Sequence, residues 1–438
     1  MNLKLALVAV ATLLSFQSVF GATRPNIVLI YADDLGINDL SSYGIEISTP
    51  HIDSLAKNGL KFEQYYTASP ICTPSRFGLL TGQFPNRSQD KLLGALMFAI
   101  ERDDHRGIRP HETTIAEVLR ENGYCTALIG KWHLGHGEPE FSALNHGFDY
   151  QYGSEGGCVD YFTKKYGYKP DWARNGKQIV EEGYSTDLIS DDAVRFLKEQ
   201  KAKKPFFLFL SYTAPHYGKG WNEKAKKLSN ILQSRPEDRA RFPHIADKNR
   251  LEYAGMVAAM DDGVGRVLAT LKKQKLGKNT LVIFTSDNGG DYRYGGSNKP
   301  FRGQKAQLFE GGIRLPCLMR WPAKIKSGSV TEQPISGLDF FPTFCSIAGV
   351  SNSRPLDGMD ISPAIFQGKK LSRDLFWQMP KMDAFRRGPC KYVRDGKEEM
   401  LFNLDHDPAE EKNLAKEKPE LLQELKNAHA GIAATFKN

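Results

Sequence analysis

RPNIVLIYADD, residues 24–34, carries the architecture of this chain. Its apolar residues run on without alternating with polar ones, so a strand here meets protein on both faces, the pattern of a parallel sheet covered by helices. The run stops at two carboxylates, Asp33 and Asp34. Three later stretches repeat the form: CTALIG (125–130) leads to Lys131 and His133, FFLFLSY (206–212) to His216, and TLVIFTS (280–286) to Asp287 and Asn288. Helical spacing precedes each of them, in residues 113–123, 190–200 and 251–274. Helix-then-strand repetition predicts an α/β fold with a large, mostly parallel sheet covered by helices on both faces. In such sheets, sites form outside the carboxyl ends of the strands, where these polar residues converge.

The chain has 438 residues, 40% hydrophobic and 25% charged, which excludes fibrous, collagenous and disordered classes and leaves room for an ample core. Residues 1–21 differ from everything after them. Lys4 precedes an apolar run, Leu5–Phe16, and Val19–Gly21 offers small residues for cleavage, as expected of a signal peptide rather than a membrane anchor. No cysteine lies there to take a lipid, so an exported, soluble product is expected, periplasmic or extracellular or in a lysosome-like lumen, without a stable membrane anchor. Six widely spaced cysteines form no CxxC pair, which removes zinc ribbons and thioredoxin-type motifs. The net charge of +8 suits an acidic substrate, and nothing points to a nucleic acid. After Gly368 the composition changes. DLFWQM (374–379), CKYVRD (390–395) and EMLFNL (399–404) read as short strands, closed by a helix over 419–436. The expected division is a catalytic domain over 22–368 and a smaller subdomain over 369–438, an antiparallel sheet plus one helix.

Taken singly, Asp33–Asp34 and Asp287–Asn288 also read as caps or turns. Together they supply three carboxylates and an amide oxygen, a hard ligand set that suits Ca²⁺ first, Mg²⁺ less well, and neither Zn²⁺ nor Cu²⁺. Lys131 and His133 lie two apart in GKWHLG (130–135), on one face of an extended segment. Lys305 sits in a glycine-rich loop, while His136, His146, Met256 and Met260 read as structural. In CTPSRFGLLTG (72–82), Pro74 at a first helical position would leave Cys72 in the loop aimed at the helix's positive end. The same cysteine also reads as a small buried hydrophobe or half of a disulfide.

That stretch resembles the signature of the type I sulfatases, matching at Cys72, Pro74, Ser75, Arg76, Leu80, Thr81 and Gly82. ADDLG (32–36), GKWHLG, APH (214–216), SDNG (286–289), RGQK (302–305) and LFNLDHDPAEEKNLA (401–415) follow the family's order. The resemblance implies an alkaline phosphatase-like fold and a secreted sulfatase hydrolysing sulfate esters, most of all those of a carbohydrate. It implies that Cys72 becomes formylglycine through a formylglycine-generating or anaerobic sulfatase-maturating enzyme. Asp33, Asp34, Asp287 and Asn288 would hold Ca²⁺, with residue 72 a further ligand. Asp287 is the candidate acceptor of the nucleophile's proton, and His133 the base for expelling sulfate. His216 and Lys305 would meet the ester oxygen, and Arg76 and Lys131 would neutralise the hydrate and the sulfate oxygens. Tyr217, Trp221, Arg293, Tyr294 and Arg302 are the candidate substrate contacts. Gly218 stands where the family often has proline, which alters the leaving-group pocket. Two alternatives stand beside this reading: a phosphoester or phosphonate monoester hydrolase of the same superfamily, whose metal set tends to carry histidine where Asn288 stands here, and an inactive sulfated-glycan-binding protein, if Cys72 stays a thiol.

Overall fold

The computed structural model describes residues 24–98, 100–200 and 204–436. The expected signal peptide, residues 1–21, lies outside them. No helix of the described residues is long and apolar enough to cross a membrane.

The residue 24–34 run forms a fully buried strand, Asn26–Asp33. Its side chains divide by parity. Val28, Ile30 and Ala32 enter one core with the helices Pro50–Lys57, Ser185–Glu199 and Lys248–Lys273. Ile27, Leu29 and Tyr31 enter another with Cys72–Thr81, Ile115–Glu121 and Phe340–Ala348. The strand is therefore the middle layer of an α/β/α arrangement, which explains why it shows no alternation. It pairs in parallel with Thr280–Ser286 on one side and Phe206–Pro215 on the other, and Cys125–Gly130 and Tyr150–Gly153 continue the parallel order. Among the described residues the sheet has 11 strands, with Arg314–Arg320 antiparallel to Thr280–Ser286 and Leu60–Tyr66 antiparallel in turn to Arg314–Arg320.

Helix limits differ from expectation only at their ends. The helix over 113–123 is Ile115–Glu121, because Thr114 and Glu117 close a reciprocal capping box there. The helix placed over 190–200 begins earlier, at Ser185. The Phe206–Pro215 strand outruns the apolar segment that announced it and carries the chain directly to His216. All six cysteines are free.

In the C-terminal part, Asp374–Gln378, Met382–Arg387, Cys390–Asp395 and Glu398–Asn403 form an antiparallel sheet. Met382–Arg387 is an addition to the three strands expected. One face of this sheet (Leu375, Trp377, Val393, Phe402) packs on Tyr66, Leu308, Phe309 and Ile313 of the larger part, and the other face covers the helix Pro419–Ala434 through Leu425. At the join, the buried Lys391 ammonium lies 2.8 Å from Glu310 and 2.9 Å from Glu410. Tyr66 donates to Glu310 at 2.7 Å, and Glu410 accepts the Glu310 backbone N–H at 2.6 Å. Lys391→Ala removes the cation that the two buried carboxylates share, leaving Glu310 with Arg314 at 3.5 Å, and we expect unfolding in denaturant to show a loss of roughly 3–5 kcal/mol.

Candidate active site

Most of the candidate side chains lie at or just beyond the carboxyl end of a strand, so the sheet itself brings them together, while Cys72 and Arg76 come from a helix and Lys305 from a loop. Asp33 and Asp34 end Asn26–Asp33, Lys131 follows Gly130, His216 follows Pro215, and Asp287 and Asn288 follow Ser286. Asp34 and His133 adopt left-handed backbone (φ 62° and 61°), a conformation that costs an L residue energy and that clusters at functional sites. Gly130 (φ 113°) has no alternative, since a Cβ there would stand 1.8 Å from the Ser211 carbonyl oxygen.

The helix Cys72–Thr81 is buried along its whole length and begins at Cys72 itself rather than at Pro74. A proline within the first turn loses no hydrogen bond, because those N–H groups have no helical partner, so the helix starts two residues earlier than the proline suggested. Cys72 thus sits at the positive end of the helix as its first residue. Burial pushes its thiol above the ordinary value, while Lys131 and Lys305 pull the other way.

The ionic arrangement is three pairs. Lys131 Nζ stands 2.5 Å from Asp33 Oδ2, Lys305 Nζ 2.7 Å from Asp34, and Arg76 3.1 Å from Asp287 Oδ2. Arg76, fully buried, also donates to the Lys131 carbonyl (3.0 Å) and to Ser211 Oγ (2.6 Å), tying three strand ends to the helix. Asp287 receives the Asp34 backbone N–H at 3.1 Å. Burial and the facing Asp33 charge push Asp287 up to about 6, a strain that an added cation relieves. Two buried oxygens, Asp33 Oδ1 and Asn288 Oδ1, have no hydrogen-bond partner among the described residues. Asp33, Asp34 and His216 place ligand atoms within 4.8 Å of one another. The donor set, two orphaned oxygens among clustered carboxylates, fits a hard divalent cation.

The two histidines are neutral bases with defined tautomers. His133 Nε2 lies 2.8 Å from the Leu96 carbonyl, which can only accept, so Nε2 carries the hydrogen and the buried, unpartnered Nδ1 is left as a lone pair. Burial first, then Lys131, holds this imidazole well below 6.5. His216 Nδ1 likewise donates to the Tyr217 carbonyl at 2.7 Å, leaving Nε2 3.5 Å from Asp34 Oδ2. Burial and then Lys305 keep it well below 6.5 as well.

The N-terminal part fits the Sulfatase family model over residues 25–350, and residues 303–433 fit the C-terminal model of N-sulphoglucosamine sulphohydrolase. The chain belongs to the sulfatase family. It is thereby a sulfuric ester hydrolase of the alkaline phosphatase-like superfamily, and sulfatases generally use formylglycine and a divalent metal. The chain is 34% identical over 377 residues to N-acetylgalactosamine-6-sulfatase of Canis lupus familiaris, covering 81% of this chain and 68% of the relative. The crystal structure of Ps i-CgsB in complex with k-i-k-neocarrahexaose matches with a TM-score of 0.82 and 35% identity, covering 92% of this chain and 91% of that one. The PsFucS1 sulfatase from Pseudoalteromonas sp. matches with a TM-score of 0.78 and 25% identity, covering 94% and 91%.

The sulfatase's expected substrate contacts are distributed unevenly around these groups. The Tyr217 ring lies 4.1 Å from the His216 ring and 4.3 Å from the Tyr294 ring, with Lys305 Nζ 6.0 Å away. Those two tyrosines form a wall beside the ionic pairs. Arg293 is held by Asp291 at 2.7 Å. Trp221 sits on a hairpin, Gly218–Asn222 paired with Lys227–Ile231, its ring 5.6 Å from Tyr168. Arg302 turns to the C-terminal part, donating to the Glu410 carbonyl at 3.1 Å and resting 4.0 Å from the Phe309 ring. Several supporting residues escaped the sequence reading. Ser211 holds Arg76; Ser75, noted only as a matching position, links Tyr31 (2.8 Å) and Thr67 (2.6 Å) from within the helix Cys72–Thr81. Gly157 lies flat against His133, where a Cβ would approach the ring to 2.5 Å. The Gly156–Gly157–Cys158 run was the available signal for this loop.

Proposed function

We propose that this sulfatase removes sulfate from a sulfated carbohydrate, with Cys72 converted to formylglycine by a maturating enzyme and Ca²⁺ held by Asp33, Asp34, Asp287, Asn288 and the modified residue. The observation that carries the reading is the cluster of three ion pairs whose charges act on residue 72, with Asp33 Oδ1, Asn288 Oδ1 and His133 Nδ1 left unpartnered among the described residues. The relatives' names supply the carbohydrate: one acts on N-acetylgalactosamine 6-sulfate, and one was crystallised with a neocarrahexaose. We read the protein as exported, on the strength of its apolar leader.

A metal held by these residues would supply Lewis-acid charge for a sulfate oxygen, and a hydrated aldehyde at residue 72 would supply the nucleophilic hydroxyl and a second one for releasing sulfate. The chain's own groups do the rest. Lys131, Lys305 and Arg76, held in place by Asp33, Asp34 and Asp287, offer fixed donors to the sulfuryl oxygens once a metal draws on those carboxylates. Asp287, raised by burial, accepts the proton of the attacking hydroxyl. His133 Nδ1 takes the second hydroxyl's proton, its ring fixed by Leu96 and Gly157. Lys305 faces the ester oxygen and gives the departing alcohol its proton, and the His216 Nε2 lone pair beside it can take a proton in turn, with Tyr217 and Tyr294 excluding water and stacking on the sugar.

A base held well below 6.5 stays active as pH falls past the ordinary histidine range. Its working form is the neutral one, present above the folded-state pKa and lost below it. Because His133 acts after the alcohol has left, it shows in kcat, whose acid limb, where expulsion of sulfate limits turnover, is expected below pH 6.5. A limb at or above that value speaks against His133 as the base.

One feature favours a second reading, phosphoester or phosphonate hydrolysis: His216 adds a nitrogen donor to the carboxylate cluster. A screen of glycosaminoglycan and algal polysaccharide fragments, with matched phosphate esters and a Cys72→Ala control, separates the two. Sulfate release from a sugar supports the proposal, and phosphate release alone overturns it.

A further inference from the structure

At the edge of the sheet opposite the active site lies a groove of about 700 Å³. Thr280–Ser286 starts beside it and ends at Asp287, so the two sites stand about 20 Å apart along the strand. Leu268, Ala269 and Pro322 give the groove an apolar floor, and Lys272, Lys275, Lys278 and Arg320 surround that floor with cations. The three chain segments that meet there, residues 54–62, 263–286 and 311–331, contain no Asp or Glu at all. Elsewhere this protein pairs its cations freely, yet these three lysines have no ion pair among the described residues, and Arg320 Nε is buried with no acceptor. The helix C-terminus explains Lys272, which complements the dipole of Lys248–Lys273. It does not explain Lys275, Lys278 or Arg320, which lie beyond that helix.

We propose that this groove binds a sulfated polysaccharide at a second, non-catalytic site. The choice of ligand rests on the substrate reading above, and the charge pattern selects within the polyanions. A concave lining keeps its cations from reaching a flat anionic bilayer together. No aromatic ring lines it, so nucleic-acid bases have nothing to stack on. Sulfate groups on a flexible sugar chain can enter the concavity, meet the ammonium groups and the part of the Arg320 side chain that lines it, and lay sugar C–H faces on the apolar floor. A polymer held there raises the local concentration of its other sulfate esters at the catalytic edge.

The test reverses charge at Lys275 and Lys278 (K275E/K278E), with Lys369 and Lys370, exposed elsewhere on the molecule, reversed as the control (K369E/K370E). Binding to heparin is measured by calorimetry across a salt series, so turnover is not needed and failure of the substrate reading shows separately, as absent sulfate release by the wild type. The groove variant is expected to lose at least about tenfold in affinity near physiological salt and to lower the slope of log K against log salt by about 2. Its rate on a small aryl sulfate is expected to match the wild type, which certifies the fold. A groove variant that binds heparin as the control does overturns the proposal. So does a loss confined to phosphatidylserine vesicles or to single-stranded RNA, with heparin binding intact.

Discussion

Cys72→Ala is expected to reduce sulfate release by at least about 10⁴-fold, the scale on which removal of a nucleophile is felt. The fold loses little, no more than about 1–2 kcal/mol, because only one small buried atom goes. The reason for so large a catalytic effect lies in what surrounds the position. Residue 72 is buried as the first residue of a buried helix, and burial pushes its thiol up, so an unconverted cysteine there is a poor nucleophile. All six cysteines are free, so the position is not engaged in a disulfide. Cys72→Ser sharpens the test. A serine hydroxyl can attack sulfur and expel the alcohol, but it has no second oxygen through which to release the sulfate, so the protein should stall as a covalent sulfate ester after one turnover. Mass spectrometry of the tryptic peptide Phe62–Arg76 reads both outcomes, an aldehyde in the wild type and a sulfated serine in the variant. Undiminished turnover by Cys72→Ala, or an intact thiol in fully active protein, is incompatible with the proposed chemistry.

The central strands were legible because each is buried on both faces, which leaves an unbroken apolar run followed abruptly by polar residues. The outer strands lack that signature. Arg314–Arg320 contains Pro316, which argues against an interior strand, and the register shift between Leu315 and Cys317 is where the sheet accommodates it. Met382–Arg387 hides for another reason. Its buried positions include Asp383 and Arg386, polar residues tolerated because Arg394 reaches Asp383 at 2.6 Å and Arg386 reaches Tyr66 and Gln64. No local pattern announces a partner hundreds of residues away. The same limit applies to the site. Asp33, Lys131, His216 and Asp287 were placed by a rule about strand ends, whereas Ser211 and Gly157 act through contacts that only the fold creates. Arg302 shows the converse: its chemistry suits an anionic substrate as well as a carbonyl, and the Glu410 carbonyl claims it.

Removing divalent metal with a chelator is expected to lower activity at least about 100-fold, with Ca²⁺ restoring it. The charge balance makes the prediction more specific. Asp33 with Lys131, Asp34 with Lys305 and Asp287 with Arg76 already cancel, so a divalent cation entering this buried place brings charge that nothing in the chain offsets. In a low-dielectric site such an imbalance is costly until an anion arrives. Inorganic sulfate supplies that anion. Ca²⁺ and sulfate should therefore tighten each other's binding by one common factor, about 5–150-fold in the usual range of coupling energies. Calorimetry of Ca²⁺ binding with and without saturating sulfate, and of sulfate binding with and without Ca²⁺, measures the factor twice. Asp33→Asn should weaken Ca²⁺ binding and leave Lys131 as a buried cation without its carboxylate, so sulfate binds even in the absence of metal and the coupling shrinks. Equal Ca²⁺ affinity with and without sulfate removes the charge argument. Tighter retention of Zn²⁺ than of Ca²⁺ by the active protein removes the oxygen-donor set as the basis of the site.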